Sequence, residues 1–532
     1  MPPNDKLPKP PAVKTFNLRF PALGVVRSDS QERDFSAVAY GTPWACNVRL
    51  EDPIASRLRG GSRGGLTKLI ASAAGTSIAD IQPLQISSTT GTEEVLVVLV
   101  DGTIGVLSDG TLSFPVAALK DESGNYIVTE AGEHILLSTD DAPNTTFLVT
   151  GQQHAYAISS SQIAKLDPKT GLVANLTVSA GTLPTGCTLG AIYRDRLCLA
   201  GYDNAIYLSR QGDFTDWNFG ANASDSSRAI PFQLSEGSGV GDQCTALVPC
   251  DDSHLLAATS RSLWIIRGDP AAGGGLQNVS RHVGILGDRA WCMTDRQVVF
   301  LAEDGLYHVS RDGSDLLPLS EEKIPDELVG IDTTTTTVML GYDHDTRAVH
   351  IYLTTAGGGD VHWLYEVEKG LFWPMMVQDD HAPVAVCEYG GNLLLAGTDG
   401  YIRYVGGSSD DGTAISSHVL IGPIRLGGPV EFGLIHALYG IIGAGSGDVT
   451  WRILVGDTSE AVADNGKAAV IAALAGNDFS QYVAAQGVWS AGRSKAAWPR
   501  ARGCWGLLWL QGSAAWAFES AVVEVIPAGR WR

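Results

Sequence analysis

The residues that invite a chemical reading come early in the chain. Gly60-Gly61-Ser62-Arg63-Gly64 has the G-x-S-x-G spacing of a hydrolase nucleophile. That chemistry needs the serine raised on a sharp turn between a buried strand and a helix, with a histidine and an acid in reach. The preceding Ala55-Ser56-Arg57-Leu58-Arg59 does not read as a buried strand. Glycines and arginines interleaved make a flexible, charged loop instead, and Ser62 is expected to be chemically idle. Gly64-Gly65-Leu66-Thr67-Lys68 invites comparison with a phosphate-binding loop, but the lysine follows the threonine, the wrong order for holding phosphate and metal together. In Asp343-His344-Asp345 two carboxylates at i, i+2 begin like a calcium loop. The remaining ligands and the distal glutamate are missing, so a solvated hairpin turn is expected. The histidines are dispersed without an H-E-x-x-H pair, and neither a metal nor a cofactor is expected.

A glycosidase is the serious enzymatic rival, with two carboxylates placed across a sugar. Propellers of that class carry a recurring S-x-D-x-G-x-x-W turn. The nearest stretch, Ser209-Arg210-Gln211-Gly212-Asp213-Phe214-Thr215-Asp216-Trp217, occurs once, with Gln211 in place of the aspartate and the glycine displaced. No acidic pair is singled out by spacing, and the chain reads as non-enzymatic.

The elements that would position such residues are strands. At 532 residues the chain exceeds one ordinary core. Its 62 glycines fall singly or in pairs between short apolar runs, as tight turns require. The net charge of −21 argues against a surface that grips nucleic acid, which needs cations to displace counterions. Cys46, Cys187, Cys198, Cys244, Cys250, Cys292, Cys387 and Cys504 form no close pair and are expected as small buried hydrophobes. Met1 to Lys14 has no apolar core and does not read as a signal peptide, and no apolar run is long enough to span a membrane. A soluble protein made in a cytoplasm is expected.

From about residue 94 to 407 one pattern recurs: apolar strand, turn, apolar strand. The hairpins are Val95–Val100 with Ile104–Leu107, Phe147–Ile158 with Ile163–Leu166, Arg196–Ala200 with Ala205–Ser209, and Leu255–Thr259 with Ser262–Ile266. Val298–Ala302 with Leu306–Val309, Val349–Thr354 with Val361–Val367, and Leu393–Gly397 with Tyr401–Val405 complete the series. Asp101-Gly102, Asp304-Gly305 and Asp399-Gly400 supply the turns that the primed geometry favours. Units spaced about 40–60 residues apart, each too small to stand alone, predict the stacked blades of a β-propeller over 85–410. A run of separate sandwiches is the alternative.

Beyond Asp410-Asp411-Gly412 the pattern stops. Ser416–Leu426, Phe432–Ile441 and Val449–Val455 predict a β-sandwich-like domain over 411–532, with Ala461–Ala475 open between helix and loop. Trp505, Trp509, Trp516 and Phe518 read as its core, and any exposed part as a subunit contact. Residues 1–84 read as an N-terminal extended segment. It holds the one strongly basic island of an acidic chain, Arg57, Arg59, Arg63 and Lys68 among Gly60, Gly61, Gly64 and Gly65. That island is expected at a subunit interface, where arginine forks pair carboxylates on a neighbour. Replacing Arg57, Arg59 and Arg63 by alanine is then expected to leave the isolated chain folded.

Tyr193-Arg194-Asp195-Arg196-Leu197-Cys198-Leu199-Ala200-Gly201 runs through Ile206-Tyr207-Leu208-Ser209-Arg210 to Asp213-Phe214-Thr215-Asp216-Trp217-Asn218-Phe219-Gly220. This succession resembles a segment of tail nozzle and related structural proteins of short-tailed bacteriophages. Leu255–Thr259 with Ser262–Ile266, Gly284-Ile285, Val299–Ala302 with Asp304–Tyr307, and the basic loop Arg57–Leu66 fit the same resemblance, which covers most of residues 40–410. The resemblance implies a virion protein assembled in the host cytoplasm as a homohexameric ring below the portal and adaptor. It further implies a tail fibre or distal tail protein beyond the ring, and genomic DNA passing through without sequence-specific binding. A receptor-binding or host-surface-binding tail propeller is the alternative.

Overall fold

The computed structural model describes residues 13–27, 40–84, 94–100, 104–108, 110–113, 147–167, 172–234, 242–358, 360–378, 381–428, 431–494 and 496–530. Most of the described residues form seven four-stranded antiparallel sheets, each followed in sequence by the next. Blade 1 is Ile78–Leu84, Glu94–Leu99, Ile104–Ser108 and Thr111–Ser113, and blade 2 is Phe147–Gly151, His154–Ile158, Ile163–Asp167 and Leu172–Asn175. Blade 3 is Leu189–Tyr193, Arg196–Ala200, Ala205–Leu208 and Ile230–Gln233, and blade 4 is Cys244–Asp251, His254–Thr259, Leu263–Arg267 and Gly275–Ser280. Blade 5 is Trp291–Met293, Gln297–Ala302, Gly305–Ser310 and Leu316–Pro318, and blade 6 is Thr336–Asp343, Ala348–Thr355, His362–Glu366 and Leu371–Met375. Blade 7 takes Pro383–Tyr389, Asn392–Gly397 and Ile402–Val405 from one part of the chain and Leu66–Lys68 from another.

First strands of neighbouring blades pack on one another except between blades 4 and 5, and Pro383–Tyr389 against Ile78–Leu84 closes the circle. Blades 4 and 5 are tied through Ile285-Leu286. The Ile285 N–H donates to the Thr259 carbonyl at 3.1 Å and its carbonyl accepts from Thr245 Oγ1 at 2.7 Å, both in blade 4, while the Leu286 N–H donates to the Leu301 carbonyl of blade 5 at 3.0 Å. The protein is therefore a β-propeller. Its middle strands are buried on both faces, as in Arg196–Ala200 and Leu255–Thr259, because each blade is covered by a neighbour on either side. That is why the sequence shows continuous apolar runs there rather than alternation. The predicted hairpins are the second and third strands of the blades. In blade 2, Phe147–Ile158 is two strands, folded at Gln152 and Gln153, both with positive φ (49° and 61°). The Asp101-Gly102 turn lies outside the described residues.

The remaining strands make a sandwich. One sheet orders Lys14–Leu18, Phe518–Arg530 and Glu431–Ile442, with Gly492–Arg493 and Arg502–Gly503 along the last. The other orders Ala45–Cys46, Ser417–Arg425, Trp505–Gly512, Val449–Gly456 and Ala485–Trp489. Trp509, Trp516 and Phe518 are fully buried in it. The alanine-rich stretch is a helix, Ser459–Leu474, packed on the second sheet and capped by Thr458, whose hydroxyl accepts from Ala461 N–H at 3.1 Å. Seven of the cysteines are buried among apolar side chains and Cys504 is half-buried.

The expected division at 84/85 falls elsewhere. Among the described residues the N-terminal segment forms no sheet of its own beyond the two-stranded hairpin of Val48–Glu51 and Leu58–Ser62: it supplies an edge strand to each sandwich sheet, the closing strand of blade 7 and the first strand of blade 1. An extended segment with little apolar surface cannot form a core alone, so it completes the cores of others.

Candidate functional site

The basic island lies where propeller and sandwich meet. Val48–Glu51 and Leu58–Ser62 form a hairpin whose turn is organised by Asp52. The Asp52 carboxylate accepts from the N–H groups of Ile54 (3.0 Å), Ala55 (2.8 Å) and Arg57 (3.1 Å), and from Arg59 Nε (2.9 Å). Burial pushes this carboxyl up, but the Arg59 guanidinium and the three amides outweigh it and hold it below the usual range. Arg59 also donates to Glu519 Oε1 at 2.7 Å, joining the hairpin to the C-terminal strand.

Arg63 is buried. Its guanidinium grips both oxygens of Asp410, 2.9 and 2.6 Å away, and reaches Asn47 Oδ1 (3.0 Å) and the carbonyls of Gly64 (2.8 Å) and Met376 (3.1 Å). Asn47 sits at φ 55°, where asparagine is tolerated, and its amide donates to the Ser416 carbonyl at 2.9 Å. Lys68 lies 3.7 Å from the centre of the Tyr401 ring and 3.8 Å from Asp411. Asp411 in turn accepts from Arg403 Nε at 2.8 Å. The glycines permit backbone contact: a Cβ on Gly61 would lie 2.1 Å from the Trp516 carbonyl oxygen. Phe20 packs between Trp373 of blade 6 and Trp516 of the sandwich.

Three of the four expected interface residues, Arg59, Arg63 and Lys68, thus meet acids of the same chain. The physical reason is that Asp52, in the turn of the same hairpin, and three acids distant in sequence, Glu519, Asp410 and Asp411, are brought onto them. The triple alanine variant would remove the fork that holds buried Asp410, so it is expected to lower stability as well as change surface charge. Arg57 and Lys68 are exposed, Arg57 beside Leu58 at 63% exposure. Asn47 was not legible, because nothing marks one asparagine among many as a junction.

Ser62 is buried and its Oγ accepts from Trp516 N–H at 3.2 Å, a structural bond. Asp343 is buried rather than solvated and accepts from Thr346 Oγ1 at 2.5 Å. His344 bridges blades, with Asp295 at 3.5 Å and Glu388 at 3.2 Å. Among the described residues no group of three or more His, Cys, Asp or Glu could hold a metal ion. In the segment that carries the family resemblance, Arg196 is wholly buried. It donates to the carbonyls of Ser209 (2.8 Å), Ser226 (3.1 Å) and Arg228 (2.7 Å) and to Asp269 (3.1 Å).

A polar cleft of about 470 Å³ opens between blades 5 and 6, lined by Asp295, Arg296, Tyr342, Arg347 and Glu368 among others. Arg347 donates to Glu368 at 2.5 Å, and Arg296 is exposed. On the propeller axis, Arg289 extends from the approach to blade 5 to pair with Asp80 of blade 1 and lies 3.9 Å from the Phe147 ring of blade 2.

No family model matches the chain, and no curated protein matches it. Solved structures similar to it include the computationally designed protein Ika8, at 15% identity, covering 64% of this chain and 99% of that one with a TM-score of 0.37. The extracellular domain of BT4673 from B. thetaiotaomicron is 11% identical over 74% of this chain, with a TM-score of 0.41, and only 44% of its own length is covered. YCF48 bound to D1 peptide is 13% identical over 67% of this chain and 98% of that one, with a TM-score of 0.37.

Proposed function

We propose that this chain is a structural subunit of a short-tailed phage virion, a tail nozzle protein that forms a homo-oligomeric ring through which DNA leaves. The observation that carries the reading is the junction of propeller and sandwich. One N-terminal segment is strand, ion-pair partner and aromatic wedge to both bodies, which fixes their orientation as a ring subunit requires. Because Arg289 and Asp80 bridge the propeller axis, the conduit in this reading runs between subunits, along outer surfaces of a chain with net charge −21. Like charge there keeps the phosphate backbone from adhering. The adaptor above and a fibre or distal protein below are the implied partners, and the role is non-enzymatic. Negative-stain imaging of the purified protein tests this. Rings with an opening wide enough for duplex DNA are expected, and a monomer at every concentration would overturn the reading.

The cleft between blades 5 and 6 favours a second reading, a tail propeller that binds a host surface. Its arginines, carboxylates and Tyr342 are groups suited to a polyhydroxylated ligand. Binding of the protein to host cells or glycans, lost on Arg347→Ala, would support it.

A further inference from the structure

Between Asp478 and Glu519 the chain carries no acid, while Arg493, Lys495, Arg500 and Arg502 fall within it. The fold lays part of this stretch along one side of the sandwich. Ala485–Trp489 is the outer strand of one sheet, and Gly492–Arg493, Ala497 and Arg502–Gly503 then pair along the outer side of Glu431–Ile442 in the other. The opposite edges, Lys14–Leu18 and Ala45–Cys46, belong to the segment welded to the propeller, with Ala45–Cys46 packed on its strand Leu371–Met375. The basic edge therefore points away from the propeller.

This edge is exposed and partly apolar. Trp498 is 62% exposed and Val488 58%. Arg493 and Arg500 are exposed, with no ion pair among the described residues; Arg502 lies 4.6 Å from the Phe432 ring, and Lys495 is outside the described residues. Asp448 stands near one end, beside the pairing of Val449 with Trp489. Lysine, arginine and proline on a sheet edge are usual protection against aggregation, but an exposed tryptophan works against protection. An exposed tryptophan with exposed arginines close by in the chain is the composition of a binding hot spot.

We infer that this edge docks on the acidic propeller surface of a second copy of the chain. This rests on the ring reading above and names the contact that would build it. Charge selects the partner: the rest of the chain is strongly acidic, and the propeller offers exposed Glu303, Asp304 and Glu321, with exposed Val329 on the neighbouring loop. The Gly330 N–H donates to the Glu303 carbonyl at 2.9 Å, which brings that loop to the acids. Of these acids, Glu303 has a cation at hand, Arg261 at 3.5 Å. Because the two surfaces differ, the contact is head-to-tail, the kind that closes into a ring when its rotation allows.

Sedimentation of the full chain over a concentration series tests this, with melting curves as the control for folding. Trp498→Glu and, separately, Arg493→Glu with Arg500→Glu should each weaken self-association by about 30-fold or more while leaving the melting curve in place. Glu303→Lys with Glu321→Lys should do the same, and mixing it with the arginine-reversed protein should restore assembly. If rings form and the edge variants assemble like the parent, the edge is wrong and the ring reading stands. A parent chain that is monomeric throughout sinks both. Binding of labelled duplex DNA to the monomer, lost on reversing Arg493 and Arg500, would assign the edge to nucleic acid and overturn the inference.

Discussion

Arg289 and Asp80 form an ion pair across the propeller axis, linking blade 5 to blade 1, which the ring places on opposite sides. Leu148 N–H of blade 2 donates to the same carboxylate at 3.1 Å, and the Arg289 carbonyl accepts from Leu340 N–H of blade 6 at 3.0 Å. Four blades thus converge on one guanidinium and one carboxylate. Burial pushes the Asp80 carboxyl up and the Arg289 charge opposes it. The balance leaves the carboxyl above its ordinary value. Removing the cation strands the acid, so Arg289→Met should cost about 3–5 kcal/mol of stability in denaturant unfolding. Arg289→Met combined with Asp80→Asn should recover much of that loss, because no buried charge is then left unpaired.

Arg63 and Arg57 separate the two meanings of the basic island. Arg63→Ala leaves Asp410 buried without its fork and should destabilise the chain by about 3–5 kcal/mol. Arg63→Lys, which cannot pair two oxygens at once, should recover only part. Arg57→Ala, on an exposed side chain, should leave the melting temperature unchanged. Equal effects at the two positions would contradict the geometry.

Ser62→Ala removes the acceptor for a buried Trp516 N–H and nothing chemical. A loss of about 1–3 kcal/mol is expected, with no change in any esterase rate measured on the purified protein.

The buried middle of the fold was readable and its edges were not. Val95–Leu99 and Leu393–Ala396 announce themselves because burial on both faces demands continuous apolar runs. Outer strands such as Leu66–Lys68 and Leu316–Pro318 are short and part-exposed, so they carry no periodic signal. Arg63 reads as a surface charge because its partner lies 347 residues further along the chain. Trp498 does not stand out from Trp509 and Trp516 in the sequence, since composition does not distinguish a buried tryptophan from an exposed one.

His418 makes the sandwich acid-sensitive. The indole N–H of Trp509 donates to its Nδ1 at 3.2 Å, so the ring is neutral with its proton on Nε2, facing Ser416 Oγ at 2.9 Å. Burial, with Arg452 adding repulsion, lowers its pKa to about 3. The unfolded chain binds the proton near pH 6.5 and the folded one does not, so stability is full above about 6.5 and falls as the pH drops toward 3. The slope is at most about 1.4 kcal/mol per pH unit. Unfolding midpoints measured from pH 7 to 4 should fall, and His418→Gln should flatten that part of the profile.

The closing strand of blade 7 depends on a glycine for its approach. Gly65 N–H donates to the Gly407 carbonyl at 3.0 Å, and the Gly65 carbonyl accepts from Gly406 N–H at 2.8 Å. A Cβ on Gly65 would lie 2.1 Å from the Ser409 carbonyl oxygen and 2.6 Å from its nitrogen. Both are backbone atoms, so no rotamer change can relieve the contact. Gly65→Ala must therefore push Leu66–Lys68 away from Ile402–Val405, or displace residues 406–410 and with them the carboxylate that holds Arg63. Either way the last blade loses its fourth strand, while blades 2 to 5 keep theirs. Hydrogen exchange should show amides of 66–68 and 402–405 losing protection in Gly65→Ala while those of Leu255–Thr259 keep theirs. Unchanged exchange at 402–405 would mean that Leu66–Lys68 does not hold its place as the fourth strand of blade 7.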